Sequence, residues 1–377
     1  MNLVYISHLH PNQDSPLENL GGMQRVSMQL LSHLEEKENL NIIPLVAEGS
    51  WETVEMRTLL FLARLLVELP PLVKEHDVDA ILFSSMVTAS VAPALRPHVN
   101  AAMIAINHGQ DVTMPNSMYQ RYIPKVFETL DGVISVSSAT RQACLSRGLS
   151  ADKGTVLPNG YEDDWLDLLP PKEKALKDLR NKLNIDADRK IILTVGRQVK
   201  RKGHAWFIQQ VLPKLKKPVD FLVIGYGPQH ETISKLAHTN TSDSKVHILG
   251  RCSDEFLYTA YSAADLFVMP NIPVTGDMEG FGIVMLEAAL AGTPTVASAL
   301  EGIKDVIENG KNGYLIEPLN AEEFALQIDK ILNHELEELS EKSRSYVTSN
   351  FNWDHVAGYY FDYVKKIVER RKSPITA

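Results

Sequence analysis

Short apolar runs alternate with stretches whose apolar residues recur every three or four positions, and the alternation extends through the whole chain. Near-continuous apolar runs of four to seven residues read as strands buried on both faces, and the 3.6-period stretches between them read as helices covering those faces. In the first half the strands are expected at Leu3–Ser7, Asn41–Val46, Ala80–Phe83, Met103–Asn107 and Gly132–Val136, with a helix from Met23 to about Lys37. A second series restarts at Lys190–Gly196 and continues through Val219–Ile224, Val246–Leu249, Leu266–Met269, Thr295–Ala297 and Tyr314–Ile316. The pattern predicts an α/β chain with two parallel sheets, each covered by helices. At the end, Val356, Tyr360, Val364 and Ile367 share one face of a helix expected over Asp354–Arg370.

Punctuation between the two series gives the domain organisation. Pro158-Asn159-Gly160 makes a turn, Pro170-Pro171 breaks any regular element, and Lys172–Leu183 is a charged, helix-favouring stretch. The expected division is a first domain over 1–165, a linker over 166–189, a second domain over 190–353 and a terminal helical segment over 354–377. A length of 377 residues agrees, being too great for one ordinary core.

Charge refines this picture. The formal net charge is −9, which argues against nucleic acid as a partner. Residues 1–165 carry 11 Lys+Arg against 19 Asp+Glu, and the remainder 27 against 28, so the second half is the better suited to an anionic ligand. Cys144 and Cys252 are the only cysteines, too few for a disulfide framework and not spaced as a metal clip. The opening Met-Asn-Leu-Val-Tyr-Ile-Ser reads as a strand, without the basic and apolar regions of a signal peptide. The expectation is a cytoplasmic protein, at most in contact with the inner face of a membrane. One stretch bears on that contact. Thr53–Glu75 is a strongly apolar helix, with Leu59, Leu60, Phe61, Leu62, Leu65, Leu66 and Leu69 around Arg57 and Arg64. Packing on its own sheet is the ordinary use of such a helix, and docking on a membrane or a lipid-linked acceptor is the alternative.

Open α/β sheets bind ligands at the carboxyl ends of their strands, and the candidate chemistry falls there. Gly21-Gly22 stands before the first helix, and His108-Gly109 follows the strand Met103–Asn107. Arg197, then Lys200, Arg201 and Lys202-Gly203, follow the first strand of the second half; Arg197 suits a fork onto phosphate oxygens and Lys202 adds a point charge. Gly225-Tyr226-Gly227-Pro228 and Gly250-Arg251 close the next two strands. The richest segment is Glu279-Gly280-Phe281-Gly282-Ile283-Val284-Met285-Leu286-Glu287, in which two carboxylates bracket a glycine pair and an apolar run that opens a helix. Gly280 and Gly282 let the backbone approach a ligand, the helix start suits a phosphate, and the glutamates suit sugar hydroxyls on either side of it. Together these residues describe a cleft between two sheets, charged for a nucleoside diphosphate sugar. Each also has a plainer reading as a turn, a solvated basic loop or a structural histidine.

This ordered set resembles the retaining glycosyltransferases of the GT-B fold, family 4 type, whose members include bacterial glycan and lipopolysaccharide sugar transferases. The resemblance covers nearly the whole chain and is strongest from Ile191 to Pro318, where Glu279 and Glu287 stand in the family's E-x7-E spacing; Ala291-Gly292-Thr293-Pro294 and Asn312-Gly313 complete it. It implies two Rossmann-like, doubly wound domains facing a central cleft, with the terminal helix crossing back to the first. It implies that Arg197 and Lys202 hold the diphosphate, that Glu279 contacts the donor sugar and that Glu287 accepts from the ribose. It places the backbone of Gly280, Phe281, Gly282, Ile283 and Val284 along sugar and phosphate, Gly225, Gly227 and Arg251 beside the donor, Gly22 over the diphosphate and His108 at the sugar. The co-substrate would be a UDP-, GDP- or ADP-linked sugar and the acceptor a sugar or lipid-linked glycan, with no further cofactor and no metal. Domain closure over the donor follows from a site divided between two halves.

The chain departs from that pattern at Asn271–Met278, which replaces a shorter serine-containing link, and at Tyr161-Glu162 after Asn159-Gly160; Asp277-Met278-Glu279 is expected to open a helix rather than to pair on a metal. Three other classes compete. A sugar-nucleotide epimerase of the same fold would isomerise the donor without an acceptor. A non-catalytic paralogue would be expected to have lost Arg197, Lys202 or a glutamate. A glycan phosphorylase needs a pyridoxal phosphate lysine that nothing marks. A dehydrogenase is disfavoured because no G-x-G-x-x-G follows the first strand.

Overall fold

The computed structural model describes residues 1–10, 21–48, 54–162 and 164–373. Two compact units emerge: Met1–Gly160 with Trp353–Ala377, and Tyr161–Asn352. Each is built on a six-stranded sheet in which every pairing is parallel.

The first unit holds β1 (Asn2–His10), β2 (Asn41–Glu48), β3 (Ala80–Phe83), β4 (Ala102–Asn107), β5 (Gly132–Ser135) and β6 (Gly154–Val156), in the order β2-β1-β3-β4-β5-β6. The strands β3, β4 and β5 are buried at every residue, as continuous apolar runs require. Two features differ from the sequence reading. β1 runs on past Ser7 to His10, carrying polar His8 and His10 into the sheet's carboxyl end, and the three-residue β6 supplies an edge strand where the sequence reading had no element. The loop expected after Ser7 lies largely outside the described residues, from 11 to 20.

The helix Val54–Glu75 has two faces. Phe61, Leu65 and Leu69 enter the core beside Ile81 and Phe83, whereas Met56, Leu59, Leu60, Leu66 and Val67 are exposed. The terminal helix Trp353–Lys372 belongs to the first unit. Trp353 is buried against Gly160, where a Cβ would come within 2.5 Å of its ring, and Tyr363 donates its hydroxyl to the Lys153 carbonyl at 2.7 Å.

The second unit holds β7 (Lys190–Val195), β8 (Val219–Ile224), β9 (Lys245–Gly250), β10 (Leu266–Met269), β11 (Thr295–Ser298) and β12 (Gly313–Ile316), ordered β12-β11-β10-β7-β8-β9. Strand order reverses between β7 and β10. The connections from their carboxyl ends lead to opposite faces, and this switch point is the crevice where such sheets take ligands.

Candidate active site

That crevice is lined by the two loops that carry the charges. After β7 the chain passes Gly196 at φ +145°, then a tight turn, Lys200–Lys202, which ends on Gly203 at φ +68°. After β10 it passes Pro270 and Asn271 into a turn in which the Asp277 N–H meets the Val274 carbonyl at 3.1 Å, with Gly276 at φ +79°. The loops are pinned together where the Ile272 N–H donates to the Arg201 carbonyl at 2.8 Å. Glycines set their spacing. A Cβ on Gly225 would meet the Gly196 carbonyl oxygen at 2.1 Å, and one on Gly227 the Gln198 carbonyl oxygen at 2.6 Å. Gly225 and Gly227 thus let the loops after β7 and β8 interlock, whatever they also offer a ligand.

Four ionisable side chains gather here. One oxygen of Glu279, Oε2, accepts from Lys202 Nζ at 2.8 Å, from Asn271 Nδ2 at 2.9 Å and from the Arg201 guanidinium. Arg201 Nε turns to Asp277 Oδ1 at 3.0 Å. The other oxygen, Oε1, has no hydrogen bond among the described residues. Glu279, Arg201 and Lys202 are all buried. Burial by itself raises the Glu279 carboxyl, but the Lys202 ammonium and then the Arg201 guanidinium outweigh it and hold the group at about 2. Burial first, and then the Arg201 cation, lower the Lys202 ammonium, while Glu279 opposes them. Arg197, by contrast, is exposed and makes no ion pair among the described residues.

Sequence reasoning thus named Arg197, Lys202 and Glu279, and the structure brings the last two into contact. It gave no role to Arg201, which is a full member of the cluster. A signal did exist: Asp277 stands two residues before Glu279, a second carboxylate that calls for a second cation.

The segment after Glu279 corrects one expectation. Asp277 and Glu279 do not open a helix. Gly282 takes φ +91°, which interrupts the helical path, and the helix is Val284–Leu290 with Ile283 at its cap. Phe281 is buried edge-on against Phe351, and Gly280 lies under Gly302, where a Cβ would touch its carbonyl oxygen at 2.1 Å. Glu287 is buried on that helix and accepts from the Tyr261 hydroxyl at 2.6 Å. Farther along the sheet, the Arg251 guanidinium sits 5.9 Å over the ring of exposed Tyr226, whose other neighbour is His230 at 4.7 Å.

In the first unit His108 follows β4. Its Nε2 meets the Ser84 carbonyl at 2.9 Å, so the ring proton is assigned to Nε2 and Nδ1 is left as an acceptor. The backbone N–H of His108 donates to buried Asp111, whose other oxygen takes the Met86 N–H. His8 and His10, unremarked in the sequence, join His108 at the carboxyl ends of the strands. Burial, then His108 and His10, push the His8 imidazole down to about 4. Gly22 begins the helix Gly22–Glu35, and the extended Gly21 before it offers no side-chain cap to the first amides. Among the described residues there is no cluster of three His, Cys, Asp or Glu placed to hold a metal ion.

Comparison with known proteins bears on family and fold. Residues 20–165 match the model of Glycosyltransferase Family 4, and residues 177–349 match that of Glycosyl transferases group 1. The chain is 27% identical over 308 residues to a GDP-mannose-dependent alpha-(1-6)-phosphatidylinositol monomannoside mannosyltransferase of Mycobacterium tuberculosis, with 79% of each chain covered. Sucrose-phosphate synthase from Thermosynechococcus elongatus shares its fold at a TM-score of 0.77 and 22% identity, covering 98% of this chain and all of the other. The catalytic domain of starch synthase IV from Arabidopsis thaliana, bound to ADP and acarbose, does so at 0.76 and 15%, covering 98% and 99%. Two doubly wound parallel sheets, the charged crevice at the β7/β10 switch point and two family matches that follow one another along the chain lead to one assignment: the protein belongs to the family 4 type of GT-B glycosyltransferases, which draw on nucleotide-sugar donors.

Proposed function

We propose that this protein transfers a hexose or related sugar, with retention at the anomeric carbon, from a nucleoside diphosphate sugar to a sugar or lipid-linked acceptor. The observation that carries the reading is the charge arrangement of the loop after β7 and its neighbour: Arg197 exposed and without an ion pair among the described residues, Lys202 on the turn that follows, and Glu279 with one oxygen saturated and the other without a hydrogen bond among them. In this reading the donor belongs to residues 190–353 and the acceptor to residues 1–165. Arg197 and Lys202 take the diphosphate and offset the charge that grows on it as the bond to the anomeric carbon breaks. Glu279 Oε1 accepts from a donor-sugar hydroxyl and Glu287 from the ribose. Arg251 and Tyr226 flank the base.

The chemistry of Glu279 is compatible with retention. A carboxylate held at about 2 by adjacent cations is a weak base and a weak nucleophile. The leaving phosphate oxygen is then the better acceptor for the incoming hydroxyl's proton, so attack comes from the face the diphosphate leaves. The cations of the protein do the work a metal would do, so the reaction proceeds without one. The test is nucleotide release from a panel of UDP-, GDP- and ADP-sugars, with and without EDTA, and with mass analysis of the sugar; GDP-mannose goes first because the mycobacterial relative uses it. Release from one donor, unaffected by EDTA, is expected. Isomerised donor would replace this reading with an epimerase.

A lipid-linked acceptor is favoured by the helix Val54–Glu75, which turns Met56, Leu59, Leu60 and Val67 outward with Arg57 and Arg64 between them. No helix of the described residues is long and apolar enough to cross a membrane. We propose that this face lies on the cytoplasmic membrane surface. The wild-type protein should float with phosphatidylglycerol vesicles, and the Leu59→Glu, Leu60→Glu double variant should not. Equal flotation of both would remove the membrane from the reading.

A further inference from the structure

Lys202 is asked to serve two anions. In the structure it is bound to Glu279, yet the reading above requires it at the donor diphosphate. A buried carboxylate whose cation departs is strongly destabilised unless another cation stays. Arg201 is that cation, and its surroundings show that it is built to stay. Its guanidinium reaches Glu279 through one nitrogen and Asp277 through another, a fork that a lysine cannot supply. Its backbone is tied to the opposite loop by the Ile272 N–H. Asp277 is delivered by the Val274-Thr275-Gly276-Asp277 turn, whose third residue takes the positive φ that a type II turn demands of glycine. With Asn271, these contacts occupy Glu279 Oε2 and leave Oε1 unengaged among the described residues.

Resting on the reading of this crevice as the donor site, we propose that Arg201, clasped by Asp277, is a positioning residue: it keeps Glu279 ionised and oriented while Lys202 moves to the diphosphate. The segment Asn271–Met278 is then the device that holds this clasp. Arg201 touches neither donor nor acceptor, and acts through Glu279.

The charged groups facing Glu279 are Arg201 and Lys202 from one loop, Asp277 from the other, and Glu301, which accepts the Glu279 N–H at 2.5 Å; His204 lies beyond Lys202. Burial raises the Glu279 carboxyl and the two cations lower it. Loss of Arg201 therefore lets the carboxyl rise, and activity that needs the carboxylate fails at a higher pH than in the wild type.

The experiment follows kcat and KM for nucleotide release from about pH 4.5 to 9 in the full chain. Arg201→Met should lower kcat at least ~ten-fold at neutral pH and bring into this pH window an acid limb of kcat/KM that the wild type, with Glu279 held at about 2, does not show there. Arg201→Lys should recover the position of the limb but not all of kcat. Asp277→Asn, which keeps the Arg201–Glu279 pair, should shift the limb less, and it serves as the test should Arg201→Met not fold. Glu301→Gln in the Arg201→Met background should leave the shifted limb in place. An acid limb that stays where the wild type has it, with activity lower by the same factor at every pH, would overturn the proposal and leave Arg201 a structural residue. Wild-type protein that releases nucleotide from no donor would instead overturn the donor-site reading, and this inference with it.

Discussion

Replacement of Lys202 by Ala lowers the rate of nucleotide release by about two to three orders of magnitude, the usual cost of removing a preorganised donor aimed at a developing anion. The loss falls mainly on kcat. Negative charge on the diphosphate grows as the glycosidic bond breaks, so a buried ammonium beside it is worth more in the transition state than in the bound donor. Exposed Arg197 remains to capture the donor, and KM changes little by comparison. The variant should also fold. Glu279 keeps Arg201 and Asn271 on the same oxygen, so its charge is not stranded when Lys202 goes. Steady-state kinetics together with circular dichroism check both statements. A Lys202→Ala enzyme with unchanged kcat and raised KM would mean that Lys202 contributes only uniform binding, and the leaving-group role assigned to it would have to be withdrawn.

The same cluster shows what a chain of letters conveys and what it withholds. Strand centres were legible because burial on both faces leaves a near-continuous apolar run: Ala80–Phe83 is unbroken, Lys190–Val195 and Val219–Ile224 carry one or two polar residues, and all three are strands. The polar end of β1 was not, since His8 and His10 continue the strand by backbone pairing that hydropathy does not register. β6 was missed for a related reason, being three residues long with only intermediate burial. The helix after Glu279 was read too early because Gly282 can enter a helix or interrupt one, and only its φ decides. Gly225 and Gly227 pose the converse problem. A glycine kept for a ligand and one kept for a neighbouring carbonyl look alike in sequence. Here Gly196 and Gln198 supply the neighbouring carbonyls.

Within the candidate site, Arg197, Lys202, Glu279 and Glu287 were singled out because their order and spacing are distinctive. Arg201 was not, because it stands in a run of three cations, Lys200-Arg201-Lys202, whose ordinary use is a solvated loop. What sets it apart is a carboxylate 76 positions along the chain. Nothing local in the sequence links the two. The link is made by strand order, which brings the loop after β10 next to the loop after β7.

That juxtaposition rests on one glycine, and its replacement should be the most damaging to stability of any small change in the crevice. Gly203 has φ +68°, and a Cβ there would lie 1.8 Å from the Pro270 carbonyl oxygen and 2.9 Å from its carbon. Two costs add in Gly203→Ala. The left-handed backbone disfavours alanine by roughly 1–2 kcal/mol. The clash is with main chain, so no side chain can swing aside, and relief requires the Lys200–Gly203 turn to part from Pro270 and Ile272. The expected total is about 3–5 kcal/mol, in the range reserved for strain at a special backbone position combined with overpacking. Gly250→Ala is the reference: φ is +64°, and a Cβ would meet nothing within 4 Å, so only the backbone term applies. Thermal unfolding of the two variants separates the terms. A much larger loss for Gly203→Ala, accompanied by loss of nucleotide release, would establish that the close approach of these two loops is what assembles Lys202, Arg201, Asn271 and Glu279. Equal losses would mean that the loops yield easily, and the rigid spacing argued for the site would not hold.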